Sequence, residues 1–248
     1  MLWGSFGIVH IITLLISAAI IVGLYFILKN RSDKTKTIVL FILSFSGISA
    51  IIFNLVTWNS PIEYLPFHMC SITAMLLPFA VLTKNKIINN LLLLWSLGAL
   101  IALVLNQAQA NYEIFSWTFV FYYFPHTLEV GIPILMFVLK LVKKDVRCIG
   151  STLALTLFLY TDVHLINVCL NNYATAANIV DWAGNLVKLN YMYSIDPTNP
   201  VLQMMYNLVP FPYWYMLVAT PFILLYLGIV YLPEIIRAIK NKKATVSA

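Results

Sequence analysis

The residues of this chain best suited to chemistry lie in Leu65-Pro66-Phe67-His68-Met69-Cys70, where a proline, a histidine and a thiol open an apolar run of membrane length. Ionisable side chains are costly inside a bilayer and face a cavity or a partner, so each one is a functional candidate. A cysteine near a helix start, where the dipole favours a thiolate, can act as a nucleophile once a base takes its proton. The same residue type is also an ordinary packing group. If Pro66 is the first helical residue, its missing N–H costs nothing there and Cys70 sits just beyond the first turn. His68 is two positions from Cys70, on a nearly opposite helical face, so the base has to come from another helix unless this end is unwound.

His126 is the better base. It follows Pro125 inside another apolar run, where a proline bends the helix and frees a carbonyl. Glu129, three residues on and on the same face, could hold the imidazole in one tautomer. The plain alternative is a mutually satisfied buried pair, since an unpaired carboxylate is expensive there. A third set, Tyr160, His164, Asn167 and Asn171, forms one polar stripe at helical spacing, with Asp162 on another face. Such stripes knit helices together through hydrogen bonds, or supply an amide that stabilises an oxyanion.

The elements that must position these residues are membrane helices. The 248 residues are 61% hydrophobic and 10% charged, with a mean hydropathy of +0.89, which excludes a soluble globular domain. Seven apolar runs approach the ~20 residues a spanning helix needs, near 6–28, 37–57, 65–83, 89–106, 117–139, 148–170 and 213–236. The expected fold is all-α, a polytopic bundle of seven transmembrane helices forming a single domain over 1–248. Lys29, Arg31, Lys34 and Lys36, then Lys84 and Lys86, then Lys140, Lys143, Lys144 and Arg147, and finally Arg237, Lys240, Lys242 and Lys243 all follow odd-numbered runs. Only Lys188 falls on the other side, so the positive-inside rule puts the N-terminus outside and the C-terminus in the cytoplasm. The net charge of +6 thus reports insertion and anionic lipid, not nucleic acid. No removable signal peptide is expected ahead of the first run.

In that orientation Cys70 should lie roughly 7 Å below the outer end of its helix and His126 roughly 13 Å below. His10, in the first turns of its helix, and His164, near the outer end of its own, complete a set of polar groups in the outer half of the bilayer. Four histidines from separate helices could bind a metal, but no His-x-x-x-His or Glu-x-x-His pair occurs, so none is expected. The three cysteines, Cys70, Cys148 and Cys169, form no disulfide framework. Residues 171–212 form a long outer segment, too polar to span and too rich in aromatic and aliphatic residues for a free linker. Val180, Trp182, Leu186, Val187 and Leu189 give an imperfect helical pattern, and Asp196-Pro197-Thr198-Asn199-Pro200 reads as a turn. One or two short helices lying on the outer face, as lid or interfacial anchor, are expected.

These residues together resemble the transmembrane protein 164 family and its bacterial YwaF-like relatives. The matching pieces are Phe6-Gly7-Ile8-Val9-His10, Leu65-Pro66-Phe67-His68-Met69-Cys70, Phe124-Pro125-His126, Asn167, Asn190-Tyr191-Met192-Tyr193 and Pro212-Tyr213-Trp214-Tyr215. They cover nearly the whole chain in the same order. The interval between Asn167 and Asn190 is longer than the family pattern, which bears on the acceptor. The resemblance implies a cofactor-free, CoA-independent acyltransferase that takes an acyl chain from a membrane phospholipid onto the motif cysteine, here Cys70, with His126 as base. The acceptor would be a lysophospholipid or the amine of a lipid-anchored protein. Glu129, His10, His68, His164, Asn167, Asn190 and Tyr191 would orient groups or stabilise the oxyanion, at a site facing outward from the cell membrane. The rival classes are a transporter or channel, in which polar residues gather at the midplane, and a seven-helix receptor. The oligomeric state is not encoded in these features.

Overall fold

The computed structural model describes residues 2–3, 6–58, 60–105, 112–181 and 183–246. Among the described residues the regular structure is helical apart from a two-residue antiparallel pairing of β1 (Leu2–Trp3) with β2 (Tyr112–Glu113) and an isolated bridge between Val180 and Leu186. In order, the helices are α1 (Ile8–Leu28), α2 (Asp33–Ser44), α3 (Ser46–Thr57), α4 (Met69–Thr83), α5 (Lys86–Val104), α6 (Trp117–Val138), α7 (Cys148–Ala176), α8 (Pro200–Leu208), α9 (Thr220–Val230) and α10 (Leu232–Val246). Starts are set by side-chain caps: Ser32 accepts from the Thr35 N–H, Asn85 from Ile87 and Ile88, Ser116 from Phe119 and Asn199 from Leu202, each satisfying donors that a helix leaves orphaned.

Among the described residues, five stretches are long and apolar enough to cross a membrane: α1, α2 with α3, α5, α6 and α7. A sixth counts if the bent stretch from Trp214 through α9 and α10 is one span. The chain is thus an integral membrane protein. Two expected spans come out differently. The run at 65–83 yields a helix of only 15 residues, about 22 Å long, against ~30 Å of hydrocarbon. Its first residues, Leu65 to Phe67, are held in a tight turn by the Phe67 N–H on the Leu65 carbonyl at 2.8 Å. The run at 213–236 breaks after Val230, and α10 leaves at 67°. Pro233 has no N–H for the Ile229 carbonyl, and Lys144 Nζ takes the Val230 carbonyl at 2.7 Å while pairing with Glu234 at 3.3 Å.

Burial orders the bundle. In α6, 72% of the apolar stretch is buried and in α5 56%, against 17% in α1, α2–α3 and α7. Two central helices are therefore surrounded by three that face lipid. Lipid gives no hydrophobic drive between helices, so polar contacts and close approach hold them. Ser17 bonds Tyr123 Oη and Thr127 Oγ1, both at 2.8 Å, joining α1 to α6. Trp95 Nε1 donates to Thr156 Oγ1 at 3.0 Å, joining α5 to α7. The Tyr231 hydroxyl donates to Asn90 Oδ1.

The connection from α7 to α9 is more ordered than the sequence pattern suggests. The turn at 196–200 leads into α8, one short helix as expected. Among the described residues of 180–189 no helix forms. Asp181 Oδ1 accepts from the N–H groups of Ala183 and Asn185, and Gly184 takes φ +81°, which closes a hairpin instead. Trp182 lies outside the described residues.

Candidate functional site

The helix carrying Cys70 begins later than Pro66. His68 is its N-cap, with φ −71° and ψ 151°, and Met69 is the first helical residue. Cys70 is therefore inside the first turn, half-buried and free of any disulfide, and the Ser71 N–H and hydroxyl approach its thiol. The backbone N–H groups of this turn have no intrahelical acceptor.

Cys70 lines a cavity of about 130 Å³ whose other walls include Asn54, Ser71, Tyr122, His126 and Glu129, with Trp58, Tyr64 and Phe121 as aromatic walls. The thiol of α4 and the imidazole of α6 thus meet across one space. His126 Nδ1 lies 2.7 Å from the Tyr122 carbonyl. A carbonyl only accepts, so Nδ1 carries the proton and Nε2 keeps its lone pair. The Tyr122 ring stacks on His126 with centroids 4.3 Å apart, and the Tyr122 hydroxyl donates to the Ala102 carbonyl of α5 at 3.0 Å. The imidazole is thereby fixed through Tyr122 to a central helix. Glu129 is not its orienting partner: Glu129 Oε2 is buried and has no hydrogen-bond partner among the described residues. The Tyr122 carbonyl, one turn back on the same helix, takes that place.

Close approach of α3 and α4 shapes this cavity. A Cβ on Gly47 would stand 2.5 Å from Ala74 Cβ and 3.2 Å from both Ala74 Cα and Glu129 Oε1. Each of the three prolines inside a helix follows a cavity-lining residue by four: Pro78 after Ala74, Pro125 after Phe121 and Pro133 after Glu129. Each wall residue's carbonyl therefore lacks its helical donor, which adds acceptors beside the site.

The remaining sequence candidates gather elsewhere. His10 is buried at the far side of α1, its Nε2 donating to the Leu103 carbonyl at 2.7 Å and its Nδ1 accepting from the Phe6 N–H at 3.1 Å, so it ties α1 to α5. The stripe on α7 docks the connection that follows it. Asn167 accepts from the Tyr191 N–H at 3.0 Å and donates to the Tyr191 carbonyl and to Ser194, each at 2.8 Å. Asn171 does the same with Leu189, donating to its carbonyl at 2.9 Å and accepting from its N–H at 2.7 Å. Two asparagines four apart on a helix are ~6 Å apart along its axis, close to the ~6.6 Å between alternate residues of an extended chain. The stripe is an artificial strand edge. His164 bonds Ser194 at 3.1 Å and Tyr160 donates to the Tyr213 carbonyl at 2.9 Å.

This docked segment presses on the turn before Cys70. The Tyr191 hydroxyl donates to the Ile62 carbonyl, its ring meets Phe67 and His68 edge-on, and His68 Nδ1 accepts from the Met192 N–H at 3.4 Å. Asn190 closes the following turn, accepting from Ile195 and Asp196 N–H groups. Met192 and Tyr193 take φ +50° and +56°, a strained pair that side-chain contacts over-determine. Burial pushes the Tyr191 phenol up to about 12 and raises Tyr193, so both stay neutral and the Tyr191 hydroxyl remains a donor. His68, His164, Asn167, Asn190 and Tyr191 thus form a dock that seats the start of α4, while Cys70, His126 and Glu129 share the cavity. Sequence reasoning missed Tyr122, Gly47 and Asn54. Asn54, a polar residue inside an apolar run, carried a signal; Tyr122, which acts through its carbonyl, its ring and its hydroxyl, is one of many aromatic residues in the chain and did not stand out.

Among the described residues no three His, Cys, Asp or Glu side chains converge as a metal site requires.

Replacing Asn167 by Leu leaves a buried N–H and carbonyl of Tyr191 unpaired, costing about 1–3 kcal/mol each. Limited proteolysis between α7 and α9 should accelerate while helix content by circular dichroism holds; an unchanged cleavage rate would contradict the ladder. Gly47→Ala should lower the thermal midpoint in detergent by overpacking, about 1–3 kcal/mol. Gly23→Ala, where nothing lies within 4 Å of the new Cβ, should not.

The TMEM164 family model matches residues 5–231. No curated protein and no solved structure matches the chain.

Proposed function

Because the chain belongs to the TMEM164 family and brings Cys70 and His126 to one cavity, we propose that it is a phospholipid-dependent acyltransferase working through a thioester. The observation that carries this reading is the tautomer: with Nδ1–H committed to the Tyr122 carbonyl, His126 meets the cavity with a lone pair on Nε2, the form a general base needs.

The Cys70 thiol gives its proton to His126 Nε2, and its sulfur bonds to the ester carbonyl carbon of a phospholipid acyl chain. The carbon–oxygen bond of the ester then breaks, and His126 returns the proton to the leaving oxygen, releasing a lysolipid. In the second half, the acceptor hydroxyl or amine gives its proton to Nε2 and bonds to the same carbon. The carbon–sulfur bond breaks, and the proton restores the thiol. Atoms and charges balance without a cofactor, as in other covalent two-step transfers. The N–H groups of the first α4 turn are the nearest oxyanion donors, a role that His10 and Asn167, both engaged with backbone elsewhere, do not fill. Glu129 is free to meet the acceptor's hydroxyl or amine.

In this reading the bundle has seven spans, with α4 as a short one, and the N-terminus outside, as the basic loops favour. Cys70 then opens toward the outer leaflet of the cell membrane, where the scissile ester of a phospholipid lies just beneath the head groups. Lysophospholipid and lipid-anchored protein amine both suit such a site as acceptors.

Intact-mass spectrometry of the purified protein with defined diacyl phospholipids tests the reading. A hydroxylamine-sensitive acyl adduct is expected on the wild type, absent in Cys70→Ala and reduced on the order of 100-fold or more in rate by His126→Ala. A folded wild type that forms no adduct and releases no lysolipid would overturn it.

A further inference from the structure

Two helix breaks face each other next to the cavity. The span Asp33–Thr57 is interrupted at Phe45 because the Ser44 hydroxyl takes the Phe41 carbonyl at 2.6 Å. The Phe45 N–H turns instead to Ile42 at 3.3 Å, a common way for serine to bend a helix. Opposite stands Pro125 of α6, whose ring denies the Phe121 carbonyl its donor. Between the two breaks runs a groove of about 340 Å³, bounded by Ile42, Phe45, Ser49, Val120, Phe121 and Pro125 among others.

Phe121 and Pro125 line both this groove and the Cys70 cavity, so the two spaces share a wall. Along α2–α3 the cavity touches positions 47 to 58 and the groove positions 42 to 49, so the groove continues from the reacting centre along the helix axis. Its walls are mainly aliphatic and aromatic, with Ser46 and Ser49 as the polar exceptions, and the Ser49 hydroxyl is satisfied by the Ser46 carbonyl at 2.7 Å. The cavity is large enough for an ester and its oxygens but too small for a lipid, since ligand-sized sites begin at ~300 Å³. An acyl chain attached at Cys70 needs an apolar continuation, and the adjoining groove supplies one.

We propose that the groove between the Phe45 break and Pro125 holds the acyl chain of the phospholipid donor while its ester reacts at Cys70. The inference rests on the thioester reading of the site. Groove length then sets chain preference, because each methylene that loses its apolar contact weakens binding severalfold.

Ser49 is exposed and outside the reacting cavity, so Ser49→Trp narrows the groove without touching Cys70 or His126. The protein is given an equimolar mixture of dihexanoyl and dipalmitoyl phosphatidylcholine, and the ratio of the two thioesters is read by intact mass. Ser49→Trp should lower the long-to-short ratio on the order of tenfold. Leu225→Trp, on the exposed face of α9, should leave the ratio alone. An unchanged ratio in Ser49→Trp overturns the proposal. If no form is acylated, the thioester reading fails, and the groove is tested by photolabelling with phosphatidylcholine bearing a diazirine at the chain end. Labelling of 42–49 that Ser49→Trp suppresses and Leu225→Trp does not supports the groove, and equal labelling in both overturns it.

Discussion

Hydrocarbon offers no hydrogen bonds, so irregular backbone at membrane depth persists only where protein supplies the partners. That constraint governs this molecule. The stretch from Leu189 to Ser194 holds a single irregular 3₁₀ turn at Tyr191–Tyr193 and no paired strand, yet Asn167 and Asn171 of α7 satisfy both backbone groups of Tyr191 and of Leu189. Through Tyr191 and Met192 the stretch seats Ile62 and His68, and those residues fix where α4 starts. Cys70 is in the first turn of α4 because that seat exists. The position of the thiol depends on two amides one helical turn apart on another helix.

The imidazole is fixed by the same economy of backbone groups. The Tyr122 carbonyl meets His126 Nδ1, and the Tyr122 hydroxyl meets Ala102, so α5 and α6, the most buried helices, carry the orientation of the imidazole. The prolines extend the theme. Pro78, Pro125 and Pro133 each withhold a donor from a residue of the cavity wall, so a bundle that otherwise consumes its polar groups keeps acceptors there. Glu129 Oε2 adds a further acceptor. A cavity rich in acceptors, with a thiol at a helix start, suits a substrate that brings hydroxyl or amine protons to a carbonyl centre.

Much of this was legible in the sequence. Leu65-Pro66-Phe67-His68-Met69-Cys70 and Phe124-Pro125-His126 stand out because ionisable groups in apolar runs are rare, and both reach the cavity. The spans α1, α5 and α6 follow from hydropathy alone. The α7 stripe was visible as a stripe, but its partner was not, since pairing with a segment some twenty residues away leaves no periodic signal. Leu65 and Phe67 made α4 look longer than it is, because hydropathy cannot tell a residue that faces lipid from one that packs on Tyr191. The hairpin at 180–187 was mistaken for a helix because its apolar residues outweighed the Asp181 and Gly184 turn chemistry. Tyr122 did not stand out among the many aromatic residues, and its carbonyl contact with His126 leaves no mark in the sequence.

The shared cavity is tested most directly by joining its two sides. In a chain with Cys148 and Cys169 replaced by serine, His126→Cys supplies a second thiol opposite Cys70, and dibromobimane fluoresces once it bridges two thiols. A strong fluorescent bridge is expected between positions 70 and 126 in membranes, and none when His164→Cys is substituted instead. Labelling of both positions singly by a monofunctional reagent, with no bridge between them, would contradict the arrangement of thiol and imidazole described above.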